Sequence, residues 1–295
     1  MSVKMGISEI DYKFKSLLIQ TYKAFRDFCL SNDIHFFAGG GTMIGAVRHK
    51  GIIPWDDDID IFMLRKDYDK FISLKHQLEG TDYEIIDPSD EGYFCSMAKF
   101  SHRYSSIWEF RDIPFVSGIY LDVFVLDYED GSFDEVAKKR KKYDQFSNLF
   151  YISSANHSYS QILKEFAHLH FKKGFWYLAQ KFIVSNFRFY YRSQILKRSS
   201  LDRGQWLVVY QSIYGNKDIY QSRWIQDGFL TVPFEDTFID VPSSYDSILT
   251  QVYGDYMTLP PENKRHAHHS RFYVNLEKRI TKAEITFLLN NTPIL

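Results

Sequence analysis

Little in this chain supports a disulfide-stapled scaffold or a membrane span. Two cysteines in 295 residues, Cys29 and Cys95, cannot build a disulfide framework and suit a reducing compartment. The start lacks a cationic stretch followed by an apolar run and a small-residue cleavage site, so no secretory signal is expected. No window reaches the roughly 18 consecutive apolar residues that cross a bilayer, and the expected location is the cytoplasm. Net charge is nearly absent: 36 Lys+Arg face 37 Asp+Glu, a formal −1 that argues against a nucleic-acid binder. Internal repeats and low-complexity tracts are missing as well. What remains is ordinary globular composition, 45% apolar and 25% charged, which excludes wholesale disorder, and enough length for one to two domains with a substantial core. Aromatic residues are abundant at 18%, with 26 Phe and 21 Tyr.

Helix and strand signals interleave through residue 127. Ser8 and Asp11 mark a helix start, and Leu17, Leu18, Thr21, Ala24, Phe25 and Phe28 keep helical spacing to a stop near Ser31. His35–Ala38 reads as a short buried strand running into Gly39-Gly40-Gly41, with a short helix from Thr42 to about Arg48. Asp58–Met63 alternates polar and apolar, a strand with its carboxylates on one face. A helix over Asp67–Leu78 and strands over Tyr83–Ile86, Tyr93–Phe100 and Gly118–Leu126 follow, giving an α/β (α+β) half with a small mixed sheet flanked by helices. Residues 138–198 differ: thirteen basic residues face two acids, aromatics crowd in, proline is absent and Gly174 is the single glycine. Helices are the natural reading there. The last third is mixed, with a helix expected over Ser243–Tyr253 and a break at Pro260-Pro261.

The chemistry concentrates in Gly39–Asp60, GGGTMIGAVRHKGIIPWDDDID. Glycines after a strand let backbone approach a ligand, and N–H groups at a helix start hold phosphate oxygens. Gly40 and Gly41 fit that role, Thr42 could add a hydroxyl, and Arg48 and Lys50 could supply counter-charge. For the glycines alone a tight turn is the favoured reading. No Gly-Lys-Ser/Thr follows, so this is not the nucleotide-binding P-loop. Asp56, Asp57, Asp58 and Asp60 run straight into the apolar positions Ile59, Ile61 and Met63, which a solvated charge run would not do. Residues two apart on a strand share a side, so Asp58 and Asp60 can hold a divalent cation, magnesium being the expected ion beside phosphate. Asp122, alone in the apolar strand Tyr120–Phe124, needs a partner and is the third candidate ligand. Glycines, then Asp-x-Asp on a strand, then a later strand aspartate is the nucleotidyltransferase pattern.

Residues 39–71, GGGTMIGAVRHKGIIPWDDDIDIFMLRKDYDKF, closely resemble the signature of the LicD family, which includes bacterial phosphorylcholine transferases and fukutin-type phospho-sugar transferases. The likeness continues at Ala98-Lys99-Phe100, across Gly118–Asp127, and from Tyr253-Gly254-Asp255 to Pro260-Pro261. Val125 departs from it, standing where the family usually has proline, as do Ser105 and Ser106 near its usual threonine. The resemblance implies a cytosolic enzyme with a nucleotidyltransferase fold that moves a phospho-substituent, phosphocholine favoured, from a CDP-activated donor such as CDP-choline to a sugar hydroxyl. Lipid-linked precursors of teichoic acid, lipopolysaccharide or capsule are the implied acceptors. Asp58, Asp60 and Asp122 would hold magnesium, with manganese as a substitute. Arg48 and Lys99 would offset transition-state charge, and Asp122 or Asp57 would serve as base. CDP-glycerol and CDP-ribitol are the rival donors, and a non-catalytic nucleotide- or glycan-binding protein is the alternative from another class.

The run His266-Ala267-His268-His269 lacks further ligands at zinc spacing, and its place after the family-like block points instead to Arg265 and His266 as substrate contacts. The basic, aromatic stretch 138–198 reads either as a solvated helix face with a core stripe or as a peripheral surface on anionic membrane at the inner face of the cell. The expected organisation is a catalytic core over 1–130 and a mainly helical acceptor- or membrane-proximal part over 131–295, of which 230–265 returns to the active site.

Overall fold

The computed structural model describes residues 7–197, 201–267, 269 and 271–291. A 25-residue helix, α1 (Ile7–Ser31), buries Leu18, Tyr22, Phe25 and Cys29 along one stripe at helical spacing. It packs on a sheet that begins with β1 (Phe37–Ala38). The glycine run opens α2 (Gly40–Ile44), two residues before the expected start, and continues as a π-helical turn over Gly45–His49. β2 (Asp60–Leu64), α3 (Arg65–Ser73), β3 (Tyr83–Ile86), β4 (Ala98–His102) and β5 (Ser106–Trp108) lead to β6 (Tyr120–Glu129). Expected strands over Asp58–Met63 and Tyr93–Phe100 are therefore trimmed at their starts.

β6 is ten residues long and buried on both faces apart from Tyr128, as a central strand must be. Its first half lies parallel to β2, pairing Asp60 with Asp122, and antiparallel to β4, pairing Lys99 with Asp122. The sheet order is β1-β2-β6-β4-β3. The second half of β6 receives β7 (Trp206–Val209), on which β8 (Ile219–Gln221) pairs in turn. Arg65, at the start of α3, locks this end of β6 through two hydrogen bonds of 2.7 Å to the Asp127 carboxylate.

Among the described residues between β6 and β7 lie α4 (Phe133–Ile152), α5 (Tyr159–Ala167), α6 (Phe171–Phe182) and α7 (Arg188–Ile195), the helices expected there. Ser132 with Glu135 and Ser158 with Gln161 cap α4 and α5 reciprocally, which fixes where each begins. After β8 come α8 (Arg223–Gln226), the hairpin β9 (Phe229–Phe234) and β10 (Thr237–Pro242), α9 (Tyr245–Tyr253), β11 (Tyr273–Asn275) and α10 (Lys282–Asn291). The hairpin turn clasps the loop after the π turn: Glu235 N–H donates to Lys50 O at 2.9 Å, and Glu235 Oε1 accepts from Ile52 N–H at 2.8 Å. β11 pairs antiparallel with β5. The mixed α/β class expected from the interleaved pattern is what forms.

Candidate functional site

Strand pairing builds the site. Because Asp60 and Asp122 sit directly opposite on parallel strands, their side chains share one side of the sheet. Asp58 lies just ahead of β2 rather than on it, yet the chain stays extended there, with Asp122 N–H donating to Ile59 O at 3.0 Å. Oxygens of Asp58, Asp60 and Asp122 come within 4.8 Å of one another, as do ligand atoms of Asp57, Asp58 and His269. The triad faces a cavity of about 890 Å³ whose lining includes Gly40, Gly41, Arg48, Trp55, Asp56 and Tyr253.

The glycines lie close against the acids. Gly40 has φ +42°, and a Cβ there would lie 2.6 Å from Asp60 Oδ2. At Gly41 the same atom would lie 3.1 Å from Asp56 Oδ2. Gly40→Ala is therefore expected to push the Asp60 carboxylate out of the triad. Magnesium titration followed by melting temperature should show weakened metal affinity in a variant whose circular dichroism matches the parent. Thr42 is buried and absent from the cavity lining; its hydroxyl accepts from Asp60 N–H at 2.8 Å and so fixes the first residue of β2.

The electrostatics of the acids diverge. Burial, and then the neighbouring Asp56 carboxylate, push Asp58 up to about 8. Asp60 rises well above the carboxylate range through burial and the charges of Asp58 and Asp122, and burial also raises Asp56. Asp57 goes the other way: against its burial, the His269 hydrogen bond and the Arg271 charge hold it below its ordinary value. His269 Nδ1 lies 3.0 Å from Asp57 Oδ1, Arg271 Nη1 lies 2.8 Å from Asp57 Oδ2, and Arg271 Nη2 donates to Asp57 O at 3.0 Å. That hydrogen bond raises His269 to about 9, despite its partial burial.

Lys99 stands behind the triad. It is 2% exposed and absent from the cavity lining; its ammonium lies 2.9 Å from Asp122 Oδ1, 3.4 Å from Glu109 Oε1, and 3.1 Å from the centre of the Tyr120 ring. The two carboxylates outweigh burial and raise its pKa well above the ordinary lysine value. Any effect of Lys99 on the reaction thus passes through Asp122. Arg48 does reach the cavity, with Nε on His49 Nε2 at 3.0 Å and Nη1 on Tyr256 O. Lys50 is exposed and points its carbonyl into the hairpin clasp, away from the cavity lining. Arg265 donates to Pro260 O at 2.8 Å and lies 5.4 Å over the ring of Trp55, which lines the cavity, whereas His266 is exposed. His268 lies outside the described residues.

Glu109 and Arg271, which the sequence pattern does not single out, complete this arrangement together with His269 of the histidine run, where Arg265 and His266 are the expected contacts. A buried lysine predicts a second counter-charge for Lys99 without saying which one. Nothing in the histidine run indicates which member turns inward.

Two carboxylates two residues apart and a third from a neighbouring strand, beside a glycine-opened helix, form a site suited to a divalent cation and phosphate. Residues 33–153 match the family model described as LicD/FKTN/FKRP, nucleotidyltransferase domain. The chain is 31% identical over 255 residues to the lipopolysaccharide cholinephosphotransferase LicD of Haemophilus influenzae, covering 83% of this chain and 90% of that one. A shorter match, 38% over 68 residues, covers 23% of this chain and 22% of an uncharacterized protein of Rickettsia typhi. The chain belongs to the LicD family, and it is a transferase of the LicD type.

Proposed function

We propose that the protein transfers phosphocholine from CDP-choline to a sugar hydroxyl of a cell-envelope glycan, lipopolysaccharide above all, with a lipid-linked acceptor met at the inner face of the cell membrane. The observation that carries this reading is the Asp58–Asp60–Asp122 cluster on the cavity floor, in a chain 31% identical to a lipopolysaccharide cholinephosphotransferase. The cluster fits magnesium: hard oxygens from three side chains converge, and the buried acids carry raised proton affinities that a cation would relieve. Manganese would suit the same ligands. Bound there, the ion would supply Lewis-acid stabilisation of the donor's diphosphate.

The protein's own groups account for the rest. Gly40 and Gly41 line the cavity and let the Asp60 and Asp56 carboxylates lie close to the backbone, and Arg48 brings a cation to the same cavity to meet phosphate. Lys99 and Glu109 hold Asp122 in place from behind. Of the two candidates for the acceptor proton, Asp57 is ion-paired with His269 and Arg271, held below its ordinary pKa and absent from the cavity lining, so the role falls to Asp122, which lines the cavity. Trp55, Tyr214, Tyr253 and Tyr256 also line the cavity, and aromatic faces suit the trimethylammonium of choline better than they suit glycerol or ribitol.

Calorimetric titration with magnesium against CDP-choline, CDP-glycerol, CDP-ribitol and CMP tests the reading. CDP-choline should bind more tightly than the others, and turnover with a glycan acceptor should release CMP. Preference for CDP-glycerol or CDP-ribitol would remove phosphocholine, and release of pyrophosphate from a nucleoside triphosphate would replace group transfer by nucleotidyl addition.

A further inference from the structure

Helix α6 turns its apolar side outward. Gly174 and Gln180 are buried and Tyr177 is partly buried, which fixes the inward face. On the opposite side Phe171, Phe175 and Phe182 lie within about 40° of one another at 100° per residue, and each is more than half exposed. The sequence alone makes a core stripe the ordinary expectation for such spacing, yet the inward face of α6 is already filled by smaller and polar groups. The surface does not end with α6. Tyr159 of α5, Ile183, and Phe187 and Phe189 at α7 are also more than half exposed. The Tyr159 and Phe182 rings lie 6.4 Å apart, so α5 and α6 form one continuous apolar patch. A patch of this kind marks a binding surface rather than scattered exposure.

Charge identifies the occupant. Residues 159–197 hold seven Lys and Arg and one acid, Glu165, which is already engaged by Lys173 at 2.8 Å and His170 at 2.9 Å. Lys164 and Lys172 are exposed beside the aromatic face. Large aromatic side chains that penetrate the boundary between headgroups and acyl chains, with lysines that reach phosphates, make an interfacial membrane surface. An apolar protein partner would not call for this one-sided charge. Among the described residues, no helix is long and apolar enough to cross a membrane, so attachment would be in-plane.

We propose that the outer face of α5–α7 docks on an anionic lipid bilayer. The position makes chemical sense. Tyr177 and Gln180, on the inward face of α6, line a second cavity of about 910 Å³ together with Glu109 and Arg271, the residues that reach Lys99 and Asp57. A single helix thus lies between the proposed membrane face and the residues that brace Asp122 and Asp57 from behind, so a membrane-anchored acceptor would approach the site from this side. This last step rests on the proposed transferase reading; the docking itself does not.

The test is flotation of the full chain with phosphatidylcholine vesicles, with and without phosphatidylglycerol. The parent should float with the anionic vesicles and much less with neutral ones, and high salt should release it. The triple variant Phe171→Ser, Phe175→Ser, Phe182→Ser should lose roughly tenfold or more of the bound fraction. Its circular dichroism and its activity on a water-soluble acceptor should match the parent, because these side chains lie on the surface and outside the active site. Lys164→Glu with Lys172→Glu should weaken only the anionic component. A parent that stays in solution with both vesicle types overturns the proposal, as does a dimer by light scattering that the triple variant converts to monomer. Floating protein that ignores CDP-choline would remove the transferase reading and leave the docking surface standing. Non-floating protein that turns CDP-choline over would do the reverse.

Discussion

Asp60→Asn protein should fold, melt at higher temperature than the parent when stripped of metal, and lose about a thousandfold or more of transferase activity with any donor. The stability gain and the activity loss have one origin. Asp60 is crowded by Asp58, Asp122 and Asp56 in a buried setting, so its proton affinity lies well above that of a free carboxylate. An amide of the same shape removes a member of a repelling group. The pH dependence has a definite sign: Asp58 titrates near 8 in the folded protein and near its ordinary value when unfolded. The chelated native state therefore retains a proton that the unfolded chain has released between roughly pH 4 and pH 8, and stability falls as pH rises through that window. His269, raised to about 9, adds to the fall over the upper part of the range and beyond it. Scanning calorimetry of chelated parent at pH 5 and pH 8 should show the lower melting temperature at pH 8, with magnesium restoring it in the parent and not in Asp60→Asn. A magnesium-induced shift that survives in Asp60→Asn would remove Asp60 from the ligand set.

Lys99→Met should cost about 3–5 kcal/mol of folding stability, because it strands two buried carboxylates, Asp122 and Glu109, without their shared cation. The lost contact with the Tyr120 ring adds to the cost, while the Tyr120 hydroxyl, which still donates to Glu109 at 2.8 Å, offsets part of it. Urea unfolding of the single variant and of the double variant Lys99→Met, Glu109→Gln measures the coupling. The double variant should be more stable than the single one, as its second change removes one of the orphaned charges. Activity should fall in both, since Asp122 loses the group that holds its Oδ1. A cost within about 1 kcal/mol, the range of an exposed ion pair, would mean that Lys99 reaches solvent after all.

How far the sequence reveals this molecule depends on the range of the contacts. Alternation in Asp58–Met63 and Tyr120–Phe124 reveals two strands and their acids, because period-two patterning is written within each strand, although the first begins only at Asp60. Parallel pairing of Asp60 with Asp122 is not written there, though each buried acid's need for a partner points to it. The short apolar run Trp206–Val209 could pair anywhere, and its place beside the far half of β6 comes from the exceptional length of that strand. His269 and Arg271 meet Asp57 across more than 200 positions, beyond any local signal. The aromatic helices show the opposite problem: spacing reveals that Phe171, Phe175 and Phe182 share a face but not whether that face turns in or out.

The distance between Asp57 and its two partners also orders events during synthesis. A chain emerging from the ribosome exposes Asp56, Asp57, Asp58, Asp60 and Asp122 while the segment carrying His269 and Arg271 is still to be made. Domains ordinarily fold as units, and the core that gathers the acids runs on to Tyr256, so Asp57 stays uncompensated until the segment just beyond that core arrives. Completion of the active site is thus timed by translation of residues 269–271, and nascent chains stalled before them should carry a sheet without a finished site.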